Sequence, residues 1–183
     1  MKNLGTNVTL SIIVAVDRNG VFGNKGEIPW KGESFMKDDF KNFKKITNDS
    51  VCIMGYKTYE EILEMKTSKG GDPNTPLLAG RESFVVTSRK DELEQSSAVT
   101  FVSSIREAVE NLEENDFRKV FVLGGEKMFI ESLPWTSSIY MTVIDKTYDG
   151  DRFFPLSYVN EHFEIIHGEQ VDVLTFLTLS RVK

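Results

Sequence analysis

Two short apolar runs that each stop at glycine and pass straight into a helical pattern set the tightest limit on this fold. Val51-Cys52-Ile53-Met54 ends at Gly55, and Val120-Phe121-Val122-Leu123 ends at Gly124-Gly125. Apolar runs without alternation are strands covered on both faces. A helix entered directly after such a strand supplies one cover and returns the chain for a parallel partner. Val8–Val16, Ser50–Met54, Ser83–Thr87 and the shorter Val99–Val102 read as strands of this kind. Helical patterns cover Ser34–Thr47, Gly55 to near Met65, and Glu126–Leu133, with loops over Asp17–Glu33 and Lys66–Ala79. Ser104-Ile105-Arg106-Glu107 is a capping box that opens a further helix, with Ile105, Ala108, Val109 and Leu112 at helical spacing. Beyond Pro134, Ser138–Thr147, His162–Glu169 and Leu174–Val182 read as strands with no helix between them. The expected class is α/β: one domain over residues 1–183, a mostly parallel central sheet with flanking helices, and an antiparallel C-terminal hairpin. Sheets of this type bind ligands beyond the carboxyl ends of their strands.

Composition removes several functional classes. The 183 residues suffice for a substantial core without metals or disulfides, and a single cysteine, Cys52, allows no internal bridge. Cys52 lies in an apolar run and is expected to be a small core residue. The net charge of −6 argues against a nucleic-acid partner, which would need an excess of Lys and Arg on one face. Val8–Val16 is too short for a membrane span and lacks the flanks of a signal peptide, so a buried first strand is expected. These features point to a soluble, cytoplasmic protein without a membrane partner. His162 and His167 have no companions at metal-ligand spacing, and no metal site is expected.

One residue breaks the pattern of its own helix. Advancing about 100° per residue from Ser34 places Met36, Phe40, Phe43 and Ile46 on one arc and Lys37, Lys41, Lys44 and Lys45 on the other. Asp39 falls between Phe43 and Ile46, inside the apolar arc, whereas Asp38 points outward. A carboxylate withdrawn from water needs donors, a counter-charge or a retained proton. Asp39 is therefore either a satisfied core acid or a pocket acid that meets a cationic or amidine-like ligand.

The two strand–glycine–helix turns have a second reading. Gly124-Gly125 leaves the backbone bare where a pyrophosphate can approach, and Met54-Gly55-Tyr56-Lys57-Thr58 adds a charge and a hydroxyl to a similar turn. G-x-G-x-x-G and the Walker pattern are both missing, so neither standard nucleotide site is expected. The loop from Gly20 through Gly23 and Gly26 to Pro29-Trp30 carries Phe22, Ile28 and Trp30, which either plug the core or close over a ligand.

Taken in order, the motifs resemble the dihydrofolate reductase family. They are I-V-A-V at Ile13–Val16, G-x-x-x-x-x-P-W at Gly23–Trp30, D-F-x-x-F-K-K-x-T at Asp39–Thr47 and I-M-G-x-K-T at Ile53–Thr58. L-x-G-R at Leu78–Arg81, V-L-G-G at Val122–Gly125, Y-x-T at Tyr140–Thr142 and D-G-D-x-x-F-P at Asp149–Pro155 follow. Each is weak alone, but the ordered set covers nearly the whole chain.

The resemblance implies NADPH-dependent reduction of 7,8-dihydrofolate to tetrahydrofolate by a monomer, with hydride to pterin C6 and a proton to N5. It gives Asp39 the 2-amino group and N3 side of the pterin, Thr142 the support of that carboxylate, and Trp30 the fixing of an ordered water. Ile13, Val14, Ala15, Ile28, Phe40, Phe43, Ile62 and Leu123 would line the folate site, with Arg81 gripping the α-carboxylate of the glutamate tail. Ala15, Phe22, Gly124 and Gly125 would lie against the nicotinamide and pyrophosphate, with Gly23, Gly55, Leu123, Glu126, Met128 and Phe129 also in the cofactor site. Lys57, Thr58, Thr87 and Ser88 would take the phosphate and adenosine half, with Lys127 nearby. Asp151 would hydrogen-bond the loop that carries Gly23.

Some positions depart from the family pattern. Tyr56 stands where a base near the 2′-phosphate is common, which shifts NADPH selectivity to Lys57, Ser88 and Arg89. Phe129 replaces a tyrosine, Glu126 puts a negative charge beside a phosphate site, and Glu64–Thr75 is longer than in compact bacterial members. The rival enzyme, the reductase of riboflavin synthesis, lacks a Pro-Trp loop joined to an acidic helix. A binding protein that has lost catalysis is the rival outside enzymes, with Phe129 and Glu126 in its favour.

Overall fold

The computed structural model describes residues 8–94, 96–112 and 118–182. In chain order the first elements are β1 (Leu10–Asp17), β2 (Val21–Gly23), α1 (Met36–Ile46), β3 (Val51–Gly55), α2 (Tyr56–Thr67) and β4 (Glu82–Val86). They are followed by β5 (Thr100–Val102), α3 (Ile105–Glu110), β6 (Val120–Gly124), α4 (Glu126–Ser132) and β7 (Thr136–Ile144). β8 (Arg152–Phe153), α5 (Leu156–His162), β9 (Phe163–Val171) and β10 (Leu174–Arg181) complete the chain. The chain divides into two compact units: one runs over Thr47–Trp135 and includes Leu10, the other over Ser11–Ile46 and from Thr136 onward.

The first unit has the parallel order β5-β4-β3-β6, with Cys52 opposite Ser83 on one side and Phe121 on the other. β3 is fully buried from Val51 to Met54, as an unalternating apolar run requires. Cys52, Met54, Leu77, Val85, Val99 and Phe101 form a core on which Tyr59, Ile62 and Leu63 of α2 pack. Fully covering each large apolar side chain stabilises by about 1.5–3 kcal/mol. The capping box is realised at one half: the Ser104 hydroxyl accepts from the Glu107 N–H at 3.0 Å. The Glu107 carboxylate reaches the Ser103 N–H (2.7 Å) and hydroxyl rather than Ser104, and Lys90 Nζ donates to it at 2.6 Å. Lys90, then Ser103, hold the Glu107 carboxyl down at about 2.

The second unit orders its strands β1-β7-β10-β9, with β10 antiparallel to both neighbours. Trp30, Phe35, Ile144 and Leu174 make its core cluster. The expected class, a mostly parallel sheet with helices and an antiparallel C-terminal hairpin, is the observed one.

Two expectations need correction. The C-terminal strands are not free of helices, because α5 stands directly before β9. Its seven residues bury only Val159, too little for an apolar stripe to show in the sequence. The loop Asp17–Glu33 also contains β2, which pairs antiparallel with β8 through Val21 opposite Phe153. A three-residue strand whose partner is more than a hundred residues away has no local signature.

Cys52 is fully buried, and burial pushes its thiol up to about 11 against the smaller pull of the Ser50 hydroxyl and Arg81. The thiolate that reacts with disulfide reagents is then scarce and covered. Labelling of native protein by an aromatic disulfide at neutral pH is expected to proceed only as fast as unfolding. Rapid stoichiometric labelling of folded protein would contradict this placement.

Candidate active site

The helix α1 carries the acid singled out by the sequence, and its faces divide as the projection requires. Lys37, Lys41, Lys44, Lys45 and Asp38 are exposed, whereas Met36, Asp39, Phe40, Phe43 and Ile46 are half-buried. None of the helix residues is fully covered. An apolar face left partly open in this way has the character of a surface that lines ligand sites rather than of a finished core.

Asp39 sits on that face. Burial of its carboxyl raises the pKa above the ordinary aspartate range, opposed by a hydrogen bond from the Thr142 side chain. Thr142 lies on β7 and is buried. It shares a strand face with Ile144, two residues on, which packs in the Trp30 cluster. Trp30 is 3% exposed. Ile28 packs against the same cluster, as does Ala15 from β1. Along β1, Ile13 and Ala15 are half-buried while Ile12, Val14 and Val16 are covered, so the Val14 side chain turns to the opposite face. The second unit thus brings together Asp39 with Thr142, and Trp30 with Ile28 and Ala15.

The glycine-spaced loop is docked by the segment around Asp151. The Asp151 N–H donates to the Gly23 carbonyl (3.1 Å), the Lys25 N–H donates to Asp151 Oδ1 (3.1 Å), and the Phe154 N–H donates to the Gly20 carbonyl (2.8 Å). Phe22 is half-buried in this loop. A Cβ on Gly150 would lie 2.2 Å from Val21 Cγ1 and 2.7 Å from the Gly23 carbonyl oxygen, so only glycine fits.

The first unit assembles the other set. Gly55, Gly124 and Gly125 converge: a Cβ on Gly55 would meet the Gly125 nitrogen at 3.7 Å, and one on Gly125 would meet Thr58 Oγ1 at 3.5 Å. Gly124 has φ +129° and lies under the Phe129 ring, which a Cβ would approach to 3.3 Å. Glycine is required there on both counts. The Gly124–Gly125 peptide is cis. Around this bare cradle Lys57, Ser88 and Lys127 are exposed, Leu123 and Glu126 half-buried, and Thr87, Met128 and Phe129 buried.

Tyr56, at the position expected to carry a base, packs in tilted contact with Tyr59 and Phe101, and the Arg89 guanidinium lies 5.0 Å above its ring. The positive charge is supplied by a neighbour resting on the aromatic face. Arg81 is half-buried; its Nε donates to Thr47 Oγ1 at 2.8 Å and its Nη1 to the Ala79 carbonyl at 2.6 Å. Ile62 is half-buried on α2. α2 runs to Thr67, two residues beyond the end expected near Met65, so the Glu64–Thr75 segment begins as helix. Lys66 Nζ then ties it down by donating to Thr75 O, Thr75 Oγ1 and Pro76 O.

Sequence reasoning missed Thr47 as the anchor of Arg81 and Asp17 as the anchor of the loops. Asp17, 1% exposed, accepts from the N–H groups of Asn19 (2.8 Å), Val21 (2.8 Å) and Tyr148 (2.9 Å). The signal available was a carboxylate directly ending a buried strand.

No helix among the described residues is long and apolar enough to cross a membrane, and no cluster of ligating side chains suited to a metal ion occurs among them.

Two outcomes are expected from this geometry. A buried acid whose proton affinity is raised costs stability above the ordinary aspartate pKa and ceases to as pH falls and it protonates. Ligand-free Asp39→Asn should melt a few degrees above the parent at neutral pH, the gap closing toward pH ~4, by calorimetry. For Gly150→Ala, faster amide exchange over residues 21–25 is expected by mass spectrometry; unchanged protection would show that the loop does not depend on the close approach.

The family model described as dihydrofolate reductase matches residues 9–176. The dihydrofolate reductase of Bacillus subtilis (strain 168) is 31% identical over 161 residues, 88% of this chain and 83% of that protein. The dihydrofolate reductase of Staphylococcus aureus is 33% identical over 158 residues, 86% of this chain and 84% of that one. A solved structure of dihydrofolate reductase from Enterococcus faecalis, complexed with NADP(H) and RAB-propyl, superposes with a TM-score of 0.73 at 27% identity, covering 96% of this chain and 97% of that chain.

Proposed function

The chain belongs to the dihydrofolate reductase family, and from that premise we propose that it reduces 7,8-dihydrofolate to 5,6,7,8-tetrahydrofolate with NADPH. The observation that carries the reading is Asp39, a desolvated carboxyl in an apolar wall that the protein leaves partly open. Its two oxygens suit the adjacent donors of a 2-amino pterin, namely the amino group and N3–H. A carboxylate that water does not solvate holds such donors more strongly than one at the surface. Its negative charge also raises the proton affinity of the ring, which favours arrival of the proton at N5.

In this reading Thr142 fixes the carboxylate by donating its hydroxyl hydrogen to it. Trp30 holds the water that lies nearest the acid. Phe40 and Phe43 flank the pterin and aminobenzoyl rings from α1, with Ile13, Ala15 and Ile28 completing that part of the apolar lining. Arg81, oriented by Thr47 and the Ala79 carbonyl, meets the α-carboxylate of the glutamate tail. The bare Gly55, Gly124 and Gly125 backbones beside Thr58 fit a pyrophosphate, because a Cβ on any of them would occupy the space. Lys57, Ser88 and Arg89 supply charge and donors for a 2′-phosphate, with Tyr56 as the platform under Arg89. When bound, NADPH supplies the hydride that reaches pterin C6. The enzyme acts as a cytoplasmic monomer without a nucleic-acid partner.

The direct test is NADPH oxidation followed spectrophotometrically with and without dihydrofolate. Asp39→Asn is expected to lower turnover by about 10²-fold or more while NADPH affinity, measured by calorimetry, stays near that of the parent. Arg81→Leu is expected to raise KM for dihydrofolate roughly 10- to 100-fold, the worth of a charge-assisted contact. It should leave KM for a pterin without a glutamate tail unchanged. Full turnover in Asp39→Asn would show that another group serves the pterin.

A further inference from the structure

Glu33, Lys146 and Tyr148 have no part in the reaction as derived above, yet they form a linked set of which Tyr148 packs directly on Trp30. The Tyr148 ring packs against the indole with centroids 5.6 Å apart and planes inclined by 59°. It does so at the edge of the cluster formed by Trp30, Phe35, Ile144 and Leu174. Tyr148 is held at both ends. Its backbone N–H donates to Asp17 Oδ2 at 2.9 Å, and its hydroxyl donates to Glu33 Oε1 at 3.4 Å. The other Glu33 oxygen accepts from Lys146 Nζ at 3.0 Å, and that ammonium lies 5.3 Å from the centre of the Phe35 ring. Glu33 belongs to the same turn as the indole, since its N–H donates to the Trp30 carbonyl at 3.1 Å.

An indole has one N–H and two broad faces, so its orientation is fixed mainly by what packs on those faces. A phenol gripped by its backbone and by its hydroxyl is a rigid wall for that purpose. An isolated, partly exposed ion pair such as Lys146–Glu33 adds little stability, so energy alone does not account for this arrangement. We propose that Tyr148, clamped by Asp17 and Glu33, is a positioning residue for the reaction that sets the plane of Trp30. The proposal rests on the role given to Trp30 in the preceding reading. Glu33 and Lys146 act one step further out, by keeping the phenol in place.

A double-mutant cycle tests this: Tyr148→Leu, Tyr148→Phe, Trp30→Phe and the Trp30→Phe/Tyr148→Leu double variant, each checked for folding by circular dichroism. Tyr148→Leu is expected to lower kcat about tenfold with KM for NADPH within about twofold of the parent, as displacement of a positioned group does. Tyr148→Phe keeps the ring and should recover kcat to within about threefold of the parent. In the Trp30→Phe background, adding Tyr148→Leu should change kcat by less than about twofold, the mark of two residues acting as one. Should Tyr148→Leu not fold, Glu33→Gln serves the same cycle, with a loss of about threefold in the parent and none in Trp30→Phe. Equal losses from Tyr148→Leu in both backgrounds would overturn the proposal while leaving the role of Trp30 intact. Parent-level kcat in Trp30→Phe would remove that role, and the proposal with it.

Discussion

A carboxylate leaves water only if something in the protein replaces the water, and the unit built on β1 and β7 answers that requirement in two opposite ways. Asp17 receives three backbone N–H groups and is closed to everything else. Asp39 receives the Thr142 hydroxyl and otherwise faces an apolar wall. The first acid is spent on structure: it fixes the turn leaving β1 and the chain at Tyr148 at once. The second has burial outweighing the Thr142 hydrogen bond, and under the proposed function the adjacent N–H groups of a pterin would make up that deficit. Burial raises the proton affinity of Asp39 because its solvation has been removed without full replacement. Under the proposed function, stability is given up where a bound ligand would restore it.

The same economy of contact shapes the other unit. Gly55, Gly124 and Gly125 meet near Thr58 with no side chains of their own, and Phe129 covers Gly124 from behind. Exposed Lys57 and Ser88 flank the bare surface. Tyr56 changes which residue presents the cation rather than removing it, since Arg89 rests on its ring. Phe129, whose missing hydroxyl was a reason to entertain a catalytically dead binding protein, is a buried packing residue against Gly124. These features are consistent with the family to which the chain belongs.

Much of this was legible in the residues themselves. The unalternating runs became β1, β3, β4 and β6, and the apolar arc of α1 with Asp39 inside it became a half-open helix face, because both rest on local periodicity. The Ser104 cap appeared because it spans three residues. The ion pair of Glu107 with Lys90 did not, because Lys90 reaches it from a separate segment. α5 was missed for want of an apolar stripe. β2 was missed because its partner β8 lies far along the chain.

Sequence alone therefore determined the class of sheet, the lone acid on an apolar helix face and the ordered motifs that identify the family, since period and spacing are properties of neighbouring residues. Only the tertiary structure decided which acid is satisfied and which is left wanting, that Gly150 must be glycine against Val21, and that Tyr148 stands clamped beside Trp30. Each of those outcomes depends on groups brought within a few ångströms from distant parts of the chain, and no local pattern encodes such distances.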